Sequence, residues 1–282
     1  MKTNLFLVGL LTLSVLFTSC SEDDGQLPPR GTLEEYIAAN DVSDYTMTDS
    51  GMYFKVAQEG EGSSISTIDV VNFYTQIFTM DGNLVYDGFK ADELWKTSTD
   101  EDAVYVPAMI DALLMSSLQD SVVLLAPSEL AYGEYGAGST IRPNEDLMII
   151  MKPVSVDMSI EDYVIENEIV NLAYSNTGLF YSIDDDPGEG ATPETGQSVT
   201  LNYVGKTLDG VEFDKSGTTP LTFIIGEGRV IEGFDEGVAF FKKGQTGTLY
   251  IPYWLAYGNV PVSDKVGAYE NLIFEIEVLD IR

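Results

Sequence analysis

The chain has 282 residues, 46 of them Asp or Glu and 14 Lys or Arg, giving a formal net charge of −32, with no His and a single Cys. These counts exclude Ser-His-Asp and Cys-His catalysis, His-ligated zinc, intramolecular disulfides and Cys-rich metal sites, and the shortage of basic residues excludes nucleic acid as a partner. Hydrophobic residues at 44% and aromatics at 11% are enough to fill cores, and the length suits two domains.

The chain opens with Lys2 and an apolar run from Leu5 to Phe17, followed by Thr18-Ser19-Cys20. The run is too short to span a bilayer and fits the apolar core of a signal peptide over residues 1–19. Small residues directly before the single Cys resemble the lipobox of bacterial lipoproteins, with Phe17 where Leu is usual. That resemblance implies lipidation at Cys20 and attachment to the outer membrane. Ser21-Glu22-Asp23-Asp24 resembles the acidic export tag of Bacteroidetes-type surface lipoproteins, and it also reads simply as a solvated tether. Residues 20–31, ending Pro28-Pro29-Arg30-Gly31, read as the linker.

Beyond the linker the sequence repeats itself. Thr32-Leu33-Glu34-Glu35-Tyr36-Ile37 returns as Ser159-Ile160-Glu161-Asp162-Tyr163-Val164, and Gly51-Met52-Tyr53-Phe54 as Gly178-Leu179-Phe180-Tyr181. Leu130-Ala131-Tyr132-Gly133 returns as Leu255-Ala256-Tyr257-Gly258, and Leu147-Met148-Ile149-Ile150 as Leu272-Ile273-Phe274-Glu275. Residues 32–158 and 159–282 are therefore expected to be two copies of one unit.

Each copy begins with a short helical prefix, because Thr32 with Glu35 and Ser159 with Asp162 stand at capping-box spacing. Strands follow. Val199, Leu201 and Tyr203 alternate with polar residues, Asp209-Gly210 marks a hairpin turn, and Glu212-Phe213-Asp214 starts the return strand. Leu221 to Ile225 is a further strand. Ile231, Phe234, Val238 and Phe241 fall at helical spacing, which predicts an amphipathic helix from near Ile231 to about Lys242-Lys243-Gly244. Thr246 to Ile251 and Leu272 to Ile281 are the last strands. The result is an α+β unit, an antiparallel sheet wrapped on one short helix.

Several segments of the second copy then resemble one family in order and spacing. They are Asn202-Tyr203-Val204-Gly205, Asp209-Gly210-Val211-Glu212-Phe213-Asp214, Val230-Ile231-Glu232-Gly233-Phe234-Asp235, Leu255-Ala256-Tyr257-Gly258 and Leu272-Ile273-Phe274-Glu275-Ile276. The family is that of FKBP-type peptidyl-prolyl isomerases, and residues 178–282 resemble it throughout. The resemblance implies two tandem FKBP-like domains and proline-containing polypeptides as substrates, with no cofactor.

By the same resemblance the catalytic positions are Tyr203, Phe213, Asp214, Ile231, Tyr257 and Phe274, with Leu221, Val230, Phe234 and Val266 lining the substrate. Phe234 would be the floor, where the family usually has Trp. The Ile231 N–H and the Tyr257 hydroxyl would bond substrate carbonyls. Taken singly, each of these residues also reads as an ordinary core or turn residue. Two rim segments depart from the family: Lys215 to Thr219 is short, and Lys265-Val266-Gly267-Ala268-Tyr269 lacks an Ile-Pro-Pro stretch.

In the first copy the expected counterparts are Tyr74, Tyr86, Asp87, Val106, Met109, Tyr132 and Ile149, so an aromatic floor and an aromatic wall are both lost. That copy reads as degenerate, a weak binder or spacer. Asp184 to Gly190 is acidic but lacks the ligand spacing of a calcium loop and reads as solvated. Three functions are consistent with these residues: an anchored prolyl isomerase and chaperone for exported proteins, a non-catalytic peptide-binding lipoprotein, or a surface lipoprotein that binds glycan or assists nutrient capture with the fold as an inert scaffold.

Overall fold

In the computed structural model the described residues are 30–99, 106–184 and 187–282. The expected signal peptide, Cys20 and the acidic tag lie outside them, as do residues 185 and 186 of the acidic loop.

The first half runs α1 (Leu33–Ala39), β1 (Thr46–Met47), β2 (Tyr53–Gln58), β3 (Val70–Thr79), β4 (Leu84–Asp87), α2 (Gly88–Ala91), β5 (Trp95–Ser98), α3 (Pro107–Leu114), β6 (Ser121–Ala126) and β7 (Leu147–Val156). The second runs α4 (Ile160–Glu166), β8 (Ala173–Tyr174), β9 (Phe180–Ile183), β10 (Ser198–Thr207), β11 (Glu212–Lys215), β12 (Leu221–Ile224), α5 (Glu232–Val238), β13 (Thr246–Ile251) and β14 (Leu272–Ile281).

Each half forms its own seven-stranded antiparallel sheet. The order is β1-β2-β6-β7-β3-β4 in one and β8-β9-β13-β14-β10-β11 in the other, with β5 and β12 each pairing with the long strand β3 or β10. The two orders are the same, so the repeat in sequence is a repeat in topology. Two tandem FKBP-like domains follow.

Alternation along the long strands decides which face is core. Val199 and Leu201 are fully buried on β10 while Thr200 between them is half-exposed. The helices lie on the buried face. On α5, a Cβ at Gly233 would stand 2.4 Å from Ile251 Cγ2, and one at Gly237 would stand 2.7 Å from Leu249 Cδ1. These two glycines therefore set how closely α5 lies on β13. Ala108 and Ala112, both fully buried, hold the matching places on α3.

The prefixes are capped as their sequences require, but unequally. Thr32 accepts from the Glu35 N–H, and the Glu35 carboxylate reaches back to the Thr32 N–H at 3.0 Å. Ser159 accepts from the Asp162 N–H, yet Asp162, one methylene shorter, takes the Ser159 hydroxyl instead of its N–H. Helix α5 is shorter than its periodicity predicts and ends at Val238. Tighter bonds carry the chain onward, from Phe240 N–H to the Gly237 carbonyl and Phe241 N–H to the Val238 carbonyl, and Phe241 stays in the core. Among the described residues no helix is long and apolar enough to cross a membrane.

Candidate active site

The second domain gathers most of the expected site residues at one end of its core. Tyr203 comes from β10, Phe213 and Asp214 from β11, Leu221 from β12, Phe234 from α5, and Phe274 from β14. Ile231 is the N-cap of α5, with extended backbone and no side-chain cap. Phe234 and Phe274 are 3% and 5% exposed and form a floor, their ring centroids 4.9 Å apart at 68°. Tyr203 stands 5.7 Å from Phe234 and 5.9 Å from Phe274, and Phe213 meets Phe274 edge-on at 5.6 Å. Tyr203, Phe213, Leu221, Val230 and Ile231 are only half-buried, and Tyr257 is 37% exposed. A buried aromatic floor with half-open apolar walls is the arrangement that can strip water from a small apolar group.

Polar groups stand beside these rings. The Tyr203 hydroxyl donates to Asp214 Oδ2 at 2.7 Å. Burial, then the bond to Asp214 and its charge, hold the Tyr203 phenol well above its usual pKa. Burial and the same carboxylate push Tyr257 upward as well, so both phenols stay protonated donors at neutral pH. Asp214 also accepts from the Lys215 N–H at 2.8 Å. Val266 lies deeper than its expected role at the rim suggests. It is 1% exposed and packs into the second core.

One residue missed from the sequence shapes the site. Gly205 faces the walls from β10, and a Cβ there would fall 2.8 Å from Phe274 Cε1 and 2.9 Å from Phe213 Cζ. Its φ carries no special requirement, so the signal is steric: only a residue without a side chain lets both rings close over the strand. Alternation from Tyr203 would have placed Gly205 on the inner face.

The first domain corrects three of its expected counterparts. Ile77 pairs with Ile149 and Tyr86, just as Gly205 pairs with Phe274 and Asp214. The place of Tyr203 is thus taken by Thr75, fully buried, while Tyr74 lies on the opposite face and donates to Asp92. Tyr86 holds the place of Asp214, Val85 that of Phe213, and Asp87 that of Lys215. One residue of register separates the expectation from the structure, and on a strand one residue reverses the face. Val106, Met109, Tyr132 and Ile149 do occupy the expected places. Trp95, opposite Phe73 where Leu221 is opposite Leu201, donates its indole N–H to the Tyr86 hydroxyl at 2.7 Å. A phenol and an indole thus stand where the second domain has a carboxylate and an aliphatic wall.

The family described as FKBP-type peptidyl-prolyl cis-trans isomerase matches residues 189–279. Peptidyl-prolyl cis-trans isomerase Fkbp12 of Drosophila melanogaster is 40% identical over 99 residues, which are 34% of this chain and 92% of that protein. FKBP-type peptidyl-prolyl cis-trans isomerase FkpA of Escherichia coli (strain K12) is 40% identical over 110 residues, 38% of this chain and 39% of that protein. The chain spans only 25% to 39% of the length of several such larger relatives. Among solved structures, the three FKBP domains of wheat FKBP73 align over 86% of this chain and 98% of that one, at 24% identity and a TM-score of 0.41.

Proposed function

This chain belongs to the FKBP-type peptidyl-prolyl cis-trans isomerase family, and from that premise we propose that its second domain rotates X-Pro bonds in the hollow of Tyr203, Phe213, Phe234 and Phe274. The observation that carries the reading is the buried Phe234–Phe274 floor beside the Tyr203–Asp214 hydrogen bond. Uncatalysed X-Pro isomerisation takes tens to hundreds of seconds because amide resonance resists rotation. The planar amide is the more dipolar form and the better solvated by water. Carrying it into an apolar aromatic hollow destabilises it relative to the twisted form. The proline ring would rest on Phe234 and Phe274. The Ile231 N–H, at the start of α5, and the Tyr257 hydroxyl would donate to the carbonyls that flank the bond. Only contacts that strengthen as the amide twists raise the rate. Asp214 holds the Tyr203 ring in its wall position.

On this reading the substrates are proline-containing segments of exported polypeptides, and the protein is a folding catalyst or chaperone. Cys20 would carry a lipid anchoring it in the outer membrane. The first domain, with Thr75 and Tyr86 in the key places, would serve as spacer or weak binder. That domain also motivates the second reading, in which both domains hold peptides without turning them. Isomerisation of a proline tetrapeptide by the full chain separates the two: catalysis selects the first, and peptide binding without rate enhancement selects the second.

A further inference from the structure

A loop of the second domain runs from Gly258 to Tyr269 and starts directly after Tyr257. It closes at its base, where the Tyr269 N–H donates to the Gly258 carbonyl at 2.7 Å. Near its far end Lys265 Nζ donates to the carbonyl of Glu212, the residue before Phe213, at 2.8 Å. The loop therefore joins the segment after Tyr257 to the strand that carries Phe213.

Its base is held in an unfavoured conformation. Tyr269 has φ +56, a left-handed backbone that costs a side-chain-bearing residue on the order of 1 kcal/mol or more. Such a conformation persists only where packing enforces it. The Tyr269 ring is 4% exposed and meets Tyr253 edge-on at 5.4 Å. The third buried member of this small cluster is Val70, which is also well buried. Val70 belongs to the first domain, at the start of β3. Asn271 borders the contact, accepting from the Tyr253 N–H at 2.9 Å and donating to the Met158 carbonyl at 3.1 Å.

We propose that Val70 is a positioning residue for the site of the second domain: it fills the seat under Tyr269 and Tyr253, and so fixes the base of the Gly258–Tyr269 loop and the place of the Tyr257 hydroxyl. The first domain thereby acts as a buttress. Removing the Val70 methyl groups leaves the Tyr269 ring without one side of its seat, and the left-handed turn then opens more readily. The kinetic part of this proposal rests on the isomerase reading above, while the mechanical part does not.

The test uses the full chain with Val70→Ala, the conservative Val70→Ile, and Tyr269→Gly, a change that keeps the turn without the ring. Hydrogen exchange at the Tyr269 amide and kcat/KM on a proline tetrapeptide are read together. Val70→Ala should speed exchange at Tyr269 about tenfold while β10 and β14 stay protected, and Val70→Ile should restore it. In parallel kcat/KM should fall about threefold to tenfold, and Val70→Ala should add nothing once Tyr269→Gly is present. Unchanged exchange, or losses that simply add, would overturn the proposal. Should Val70→Ala melt the first domain, Val70→Thr keeps the volume and strand propensity while placing a hydroxyl in the seat, and the same readings decide. If the unmodified chain catalyses nothing, the isomerase reading falls, and exchange alone decides the buttress.

Discussion

Tyr203 donates its hydroxyl to Asp214 at 2.7 Å, whereas at the matching place in the first domain the Thr75 hydroxyl is buried with no hydrogen-bond partner among the described residues. The two domains share strand order and differ in the groups at these matching places. The Tyr203–Asp214 bond fixes an aromatic wall against two buried rings. Removing only the hydroxyl, in Tyr203→Phe, should leave the domain folded with a stability loss of about 1 kcal/mol. It should lower kcat/KM by roughly threefold to tenfold. Denaturant unfolding and tetrapeptide kinetics on the same sample check both.

Gly205→Ala tests the wall itself. The added methyl would sit under 3 Å from both Phe213 and Phe274, so a ring must shift. Overpacking of this kind typically costs about 1–3 kcal/mol. Activity should fall by more than the lost stability alone explains, because the displaced rings form the hollow. A variant as active as the parent chain would show that these rings do not shape the reacting site.

Thr75→Val should stabilise the first domain. The Thr75 side chain is fully buried and its Oγ1 has no partner among the described residues, and Val has nearly the same shape without the polar atom. Removing an unsatisfied buried hydroxyl should contribute about 1–2 kcal/mol. Thermal unfolding of the full chain should show a higher midpoint for the first-domain transition and no change in tetrapeptide kinetics.

Glu270 supplies a pH-dependent prediction. Burial raises its carboxyl above the usual range, the charges of Asp157 and Asp209 add to this, and Lys96 and the Gly267 backbone partly offset it. The folded state therefore holds this proton to a higher pH than the unfolded chain does. Its contribution to stability is present at low pH and is lost as pH rises through the folded-state value. At pH 7 the ionised side chain is a penalty, so Glu270→Gln should unfold at higher denaturant than the parent. The gap should close as pH falls toward about 4. A gap that stays constant or reverses sign would contradict it.

Much of the second domain is legible in its residues. Val199, Leu201 and Tyr203 alternate because one face of β10 is core, and the capping residues Thr32 and Ser159 stand where the prefixes begin. The site set is legible only jointly, since Tyr203, Phe213 and Phe274 taken singly look like core. The first domain misleads because residue type and face disagree: on β3 the aromatic Tyr74 points outward and the polar Thr75 inward. Strand pairing, with Ile77 opposite both Tyr86 and Ile149, reveals the shift, and the hairpin turns Asp81-Gly82 and Asp209-Gly210 align in the same register. The clustering of Val70 with Tyr253 and Tyr269 is likewise invisible in sequence, because those residues belong to different repeats.

The most direct test follows cis-to-trans conversion of a proline tetrapeptide with the full chain and with Phe213→Ala. Acceleration proportional to protein concentration is expected, with kcat/KM lowered about tenfold or more by Phe213→Ala while the second domain remains folded. A conversion rate equal to the uncatalysed one, or an acceleration that Phe213→Ala leaves intact, would contradict it.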